Sequence, residues 1–192
     1  KMKVFAINGS PRKDGNTSFL IKKVFEELEK NGIETEIYTI GNENFKGCIG
    51  CRKCYENKDM KCVIQSDSLN EIFQKCAEAD GILIASPVYF ADITANTKAF
   101  IERAGSLTRA NNNILARKPG AGIVAVRRGG AIHSFDSINH FFLISQMLIV
   151  GSSYWNIGIG GPAGDCENDA EGIKTMQTLG TNMSWVLQKL NQ

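Results

Sequence analysis

The chain has 192 residues, 43% hydrophobic and 22% charged, the size and balance of one ordinary folded domain and not of a disordered or fibrous chain. Lys and Arg number 22 against 20 Asp and Glu, a formal charge of +2 that lacks the basic footprint of a nucleic-acid binder. The longest apolar stretch, 141–150, carries Ser145 and Gln146 and falls well short of a membrane span. No secretory leader precedes the first strand-like run, so a cytoplasmic protein without nucleic-acid or membrane partners is expected.

Strand-like and helix-like segments alternate from end to end. Val4-Phe5-Ala6-Ile7, stopped by Asn8-Gly9-Ser10-Pro11, reads as a buried parallel strand. Phe19, Leu20, Val24, Phe25 and Leu28 recur at helical spacing up to Lys30, where Asn31-Gly32 closes the helix. Residues 34–40 alternate as a second strand, and a cysteine-rich loop occupies about 46–65. Ser68-Leu69-Asn70-Glu71 has capping-box spacing and opens a helix through Ile72, Phe73, Cys76 and Ala77. Strands follow at 81–85, 122–126 and 155–159, and helices at 95–104, 135–150 and 170–190. This alternation, with no repeat and no Pro- or Ser-rich linker, predicts one three-layer α/β domain over 1–192. Its doubly wound parallel five-stranded sheet takes the flavodoxin-like order 2-1-3-4-5, with ligand at the switch point between strands one and three.

That rule directs attention to the loop after the first strand. Hydroxyls at Ser10, Thr17 and Ser18, the Asn16 amide and the N–H groups of a helix N-terminus make a cradle for one phosphate, to which Arg12 adds a charged donor. The loop is neither a Walker A sequence nor a GxGxxG fingerprint. The plainer alternative is a polar βα turn with a Ser/Thr cap.

Ile7-Asn8-Gly9-Ser10-Pro11-Arg12, followed by Gly15-Asn16-Thr17, resembles the FMN-phosphate loop of the NADPH-dependent FMN reductase and flavodoxin-like oxidoreductase superfamily. Ser86-Pro87-Val88-Tyr89-Phe90 is similar to that family's second signature, and Lys98-Ala99-Phe100-Ile101-Glu102-Arg103 to the helix behind it. The likeness spans essentially the whole chain. It implies FMN, with Ser10, Pro11, Arg12, Asn16, Thr17 and Ser18 around the phosphate, and Pro87, Val88, Tyr89 and Phe90 against the isoalloxazine. It also places the Arg127-Arg128-Gly129-Gly130 loop beside the ring, with Arg128, Gly129 and Gly130 as candidate contacts. The two arginines serve a reduced flavin, a nicotinamide phosphate, or only the surface. The Gly-rich tract 158–164 is either a nucleotide contact or a surface loop. His133 and His140 read as helix or interface residues, and no catalytic triad is expected because the cofactor carries hydride chemistry.

Four of the six cysteines, Cys48, Cys51, Cys54 and Cys62, crowd into one loop, while Cys76 and Cys166 stand alone. Such a compact run leans toward iron-sulfur over zinc, whose sites more often use two separated CxxC pairs. Its spacing is similar to the motif of iron-sulfur flavoproteins, which carry a [4Fe-4S] cluster beside FMN. Free or redox-active thiols and zinc stay open as alternatives, and Lys53, Lys58 and Lys61 either lower thiolate pKa values or only solvate the loop. The expected activity is an FMN-dependent oxidoreductase, reduced by NAD(P)H or an iron-sulfur donor, that serves a small-molecule acceptor or a redox protein. Alternatives are an iron-sulfur flavoprotein acting in electron transfer and a non-catalytic flavin-binding redox sensor. Phe141, Phe142, Leu143, Ile144, Met147, Leu148 and Ile149 give the fourth long helix more apolar surface than one face requires, which predicts a homodimer or higher homo-oligomer.

Overall fold

In the computed structural model, which describes residues 1–191, the apolar runs form the middle of one parallel sheet. Its strands are β1 (Lys3–Asn8), β2 (Glu34–Thr39), β3 (Gly81–Pro87), β4 (Pro119–Val126), β5 (Leu148–Ile149) and β6 (Ile157–Ile159). The order is β2-β1-β3-β4, with β5 and β6 both on the outer edge of β4. Pro119 and Gly120 pair with Leu148 and Ile149, whereas residues 124–126 pair with 157–159. The fifth strand position is therefore filled by two short pieces.

Successive side chains of a strand point to opposite faces, and the central strands are apolar on both. Val4, Ala6, Leu83, Ala85, Ala121, Ile123 and Ala125 pack in one buried cluster against α1 (Asn16–Lys30) and the C-terminal helix, Ala170–Leu190. Phe5, Ile7, Ile82, Ile84 and Val124 pack in another. The second layer holds helices α3 (Leu69–Glu78), α4 (Ala95–Ala110) and α5 (Ala131–Ile144), while the short α2 (Lys53–Asn57) sits inside the cysteine loop. The C-terminal helix is α6. Each fully buried Leu, Ile or Phe contributes about 1.5–3 kcal/mol, so these two layers dominate the stability. No helix among the described residues is long and apolar enough to cross a membrane.

Three sequence expectations need correction. Ser68 does not cap α3: its hydroxyl donates to the Glu43 carboxylate, and Asp67 Oδ1 accepts the Leu69 N–H instead. The helix expected at 135–150 runs from Ala131 to Ile144. It stops in a turn where Gln146 takes a left-handed φ of 57°, and the N–H groups of Gln146 and Met147 donate back to the Leu143 and Phe142 carbonyls, the Schellman pattern. Met147 then turns into the core, leaving Leu143, Ile144, Leu148 and Ile149 exposed. The strand expected at 155–159 begins only at Ile157, because β5 takes the lower half of the β4 edge.

Candidate functional site

Beyond the carboxyl ends of β1, β3 and β4 lies a cleft of about 630 Å³. Ser10 and Arg12 line it from the first loop, Asn16 and Thr17 from the start of α1, Pro87, Val88 and Tyr89 from the end of β3 and the loop after it, Arg127 from just past β4, and residues 160–163 from the loop after β6. The first loop is tightly braced. Ser10 N–H donates to Asn8 Oδ1 at 3.0 Å, Arg12 N–H donates to Ser10 Oγ at 3.1 Å, and Thr94 Oγ1 donates to the Gly9 carbonyl at 2.9 Å. The chain leaving β2 lies so close behind it that a Cβ on Gly41 would sit 2.1 Å from the Ser10 carbonyl carbon. Only glycine fits there.

This bracing leaves several groups open toward the cleft. Ser10 Oγ accepts from backbone and keeps its own proton to donate. Thr17 is buried, and its hydroxyl has no hydrogen-bond partner among the described residues. The N-cap of α1 is Gly15 with no side-chain cap, so the first-turn N–H groups are available to an anion. Arg12 and Arg127 line the same cleft and form no ion pair among the described residues. Hydroxyl donors, open amides, two cations and a Pro-Val-Tyr wall fit a phosphate joined to a flat ring.

Of the other expected contacts, Asn16 lines the cleft and the rest do not. The Asn16 side chain is spent on protein: Nδ2 donates to the Pro162 carbonyl at 2.8 Å, and Oδ1 accepts from Gly164 N–H at 3.1 Å and Cys166 N–H at 3.3 Å. It clasps the far wall of the cleft instead of presenting a free amide. Ser18 Oγ donates to the Gly15 carbonyl at 3.1 Å, which uses its proton, and the Pro11 carbonyl accepts from Asn42 Nδ2. Phe90 is fully solvent-exposed beside the cleft, with φ 48° in a tight turn closed by Tyr89 N–H donating to the Asp92 carbonyl at 2.8 Å. Arg128, Gly129 and Gly130 do not line the cleft; Arg127 does. The strand period carried that signal, because Ala125 and Arg127 share one face and Arg128 takes the other. His133 is exposed, 3.4 Å from Asp92 Oδ2. Burial works to raise the Asp92 pKa, but the Ile93 N–H, the Ser137 hydroxyl and His133 together hold it below its ordinary value.

Cys48, Cys51, Cys54 and Cys62 line one cavity of about 30 Å³, with Ile49, Arg52, Val63 and Arg103 around them. Among the described residues no three Cys, His, Asp or Glu side chains converge on a single-ion site. Four thiols on one cavity fit a polynuclear iron-sulfur centre by donor set, more than by the volume now enclosed. Arg52, Lys58 and Met60 have φ of 61°, 51° and 60°, uncommon for residues with side chains. Burial pushes the Cys54 thiol up, and Lys53 is engaged by Glu56 at 2.7 Å, so Lys53 does not activate this thiol. Cys76 lies in the core with its thiol pushed well up by burial, and burial raises Cys166 to about 11.

Residues 2–161 match the family described as NADPH-dependent FMN reductase, and the chain belongs to that family. It is accordingly a flavin-dependent oxidoreductase of an FMN-binding family. It falls on the iron-sulfur flavoprotein branch, being 37% identical over 199 residues to an iron-sulfur flavoprotein of Methanocaldococcus jannaschii, with both chains covered in full. An iron-sulfur flavoprotein of Methanosarcina thermophila is 32% identical over 194 residues, covering 100% of this chain and 98% of that one. Among solved structures, a flavone reductase superposes with a TM-score of 0.77 at 15% identity, covering 100% of this chain and 65% of that chain, a likeness of fold alone.

Proposed function

We propose that this protein takes electrons from NAD(P)H or an iron-sulfur donor into bound FMN and passes them to a small-molecule acceptor or a redox protein, with Cys48, Cys51, Cys54 and Cys62 ligating a [4Fe-4S] cluster. One observation carries this reading: the phosphate-fitting cleft and the four-thiol loop are braced by the same helix. Thr94, the N-cap of α4, holds the Gly9 carbonyl, and Arg103 holds the thiol loop. Nine residues of helix, roughly 14 Å of rise, separate the two.

Ser10, Thr17 and the first-turn N–H groups of α1 hold the phosphate, and Arg12 and Arg127 offset its charge. Pro87, Val88 and Tyr89 wall the ring, and the Asn16 clasp keeps residues 160–163 against it. Bound FMN would supply two-electron and one-electron chemistry, and thiolate-ligated iron one-electron chemistry. The chain's own groups bind, orient and exclude water; no side chain serves as acid or base. The exposed Leu143, Ile144, Leu148 and Ile149 support self-association into a homodimer.

The test is anaerobic reduction. NADH, NADPH or a reduced ferredoxin is added to FMN-loaded protein, flavin bleaching is followed, and a quinone or free flavin is then supplied. Bleaching followed by reoxidation with turnover supports the reading. If none of the three donors bleaches the flavin, the reading is contradicted, and reduction without turnover would favour a redox sensor.

A further inference from the structure

Arg103 is 1% exposed and heads the largest fully buried side chains among the described residues. A guanidinium is costly to bury unless its charge and its N–H groups are matched. All the matching groups come from the two ends of the cysteine loop. Nη1 donates to Asp67 Oδ2 at 2.5 Å and to the Lys46 carbonyl at 3.1 Å, Nη2 donates to the Ile64 carbonyl at 3.0 Å, and Nε donates to Cys62 Sγ at 3.4 Å. The Phe45 ring lies 5.7 Å from the guanidinium carbon. The neighbouring Glu102 accepts the Cys48 N–H at 3.3 Å, and Asn111 at the end of α4 accepts the Met60 N–H at 3.2 Å.

We infer that Arg103 is the positioning residue of the thiol centre: it closes the cysteine loop at both ends and, through its Nε–H to Cys62 Sγ bond, sets the electron affinity of the cluster held there. The second half rests on the cluster reading above; the first does not. Left-handed residues such as Arg52, Lys58 and Met60 persist only where surrounding structure over-determines them, and one side chain tied to residues 46, 62, 64 and 67 provides that constraint. A hydrogen bond to a ligating sulfur draws charge from it and favours the reduced centre, so it raises the reduction potential. Lysine keeps the charge but not the planar fork that serves four acceptors at once.

The test uses Arg103→Gln, Arg103→Lys and Asp67→Asn in the full chain. In cluster-free protein, amide hydrogen exchange across residues 46–66 should accelerate about tenfold or more in both Arg103 variants, while FMN affinity stays at the parent value, because Thr94 Oγ1 holds the Gly9 carbonyl and Asn96 Nδ2 donates to the Gly41 and Glu43 carbonyls behind the first loop, none of which involves Arg103. In reconstituted protein, both should show a more negative cluster potential by about a factor of ten in the reduction equilibrium, about 59 mV for a one-electron couple. Asp67→Asn keeps the Nε–Sγ bond, removes a nearby negative charge, and should move the potential the other way; should Arg103→Gln not fold, Arg103→Lys, which keeps the charge and loses the bond, decides the matter. Unchanged exchange overturns the loop-closing role. A parent potential in Arg103→Gln, or in Arg103→Lys alone, overturns the hydrogen-bond role. A parent protein that takes up no iron on reconstitution would instead sink the cluster reading and the potential-setting half with it, while the exchange result still decides the first half.

Discussion

Asn16 opens α1, yet its side chain works on a segment almost 150 residues away, at 161–166. Asn16→Ala removes the strong bond to Pro162 at 2.8 Å, those from Gly164 and Cys166 at 3.1 and 3.3 Å, and a long one to Gly161 at 3.4 Å. At about 0.5–1.5 kcal/mol net per bond, with the longer ones at the low end, the loss sums to about 2–4 kcal/mol. Cys166 is fully buried, so its stranded N–H pulls the cost toward the upper figure. For a chain of this size that is a fall in Tm of roughly 4–16 °C, readable by calorimetry on flavin-free protein. FMN affinity should fall as well, because residues 160–163 form the far wall of the cleft. Asn16→Asp keeps the acceptor but loses the donor and adds a negative charge near the phosphate, so it should bind FMN less well than Asn16→Ala. A Tm within about 1 °C of the parent together with unchanged FMN affinity would refute the clasp.

Ser10→Ala combined with Thr17→Ala removes two hydroxyl donors to a dianion at roughly 1.5–3 kcal/mol each, so FMN binding should weaken about a hundredfold or more with the fold intact; calorimetric titration reads this, and riboflavin, lacking the phosphate, should be indifferent to the change. Glu36 accepts from both Lys3 and Lys75, which hold its carboxyl below its ordinary value against a smaller opposing effect of burial. Its stabilisation is present above the unfolded pKa near about 4.3 and is lost as pH falls through the lower folded value. Glu36→Gln should therefore flatten the stability profile in that acid window and leave it unchanged in shape near neutrality, as urea melts across pH would show. Sedimentation at micromolar concentration should give a dimer, and Ile144→Asp with Ile149→Asp a monomer; a monomeric parent contradicts self-association through this face.

The sheet order was legible because its strands are short apolar runs ended by turn residues, and α6 matched its expected bounds from Ala170 to Leu190. The two long-helix endings show where legibility stops. Gly32, with φ 73°, and Gln146, with φ 57°, hold the same left-handed position of the same hydrogen-bond pattern. Glycine announces such an ending and glutamine does not, so Met147, Leu148, Ile149 and Val150 looked like more helix. The split fifth strand followed from that miss. At the cleft, residue types pointed to Ser10, Arg12 and Thr17, but a polar type says nothing about which bonds are already spent. Asn16 and Ser18 are satisfied by backbone groups that only the folded chain brings to them. Arg103 was invisible as a tie for the same reason: its acceptors lie 36 to 57 residues away.

One flavin and one four-thiolate cluster on a single chain would appear as a fixed cofactor stoichiometry in anaerobically reconstituted protein. FMN, iron and acid-labile sulfide are measured in the parent and in each Cys→Ser variant. The parent should hold about one FMN with about four iron and four sulfide. Cys48→Ser, Cys51→Ser, Cys54→Ser and Cys62→Ser should each lose most of the iron and keep the flavin, whereas Cys76→Ser and Cys166→Ser should keep both. Flavin without iron in the parent, or iron that survives loss of the loop cysteines, would rule out a cluster held by these four thiolates.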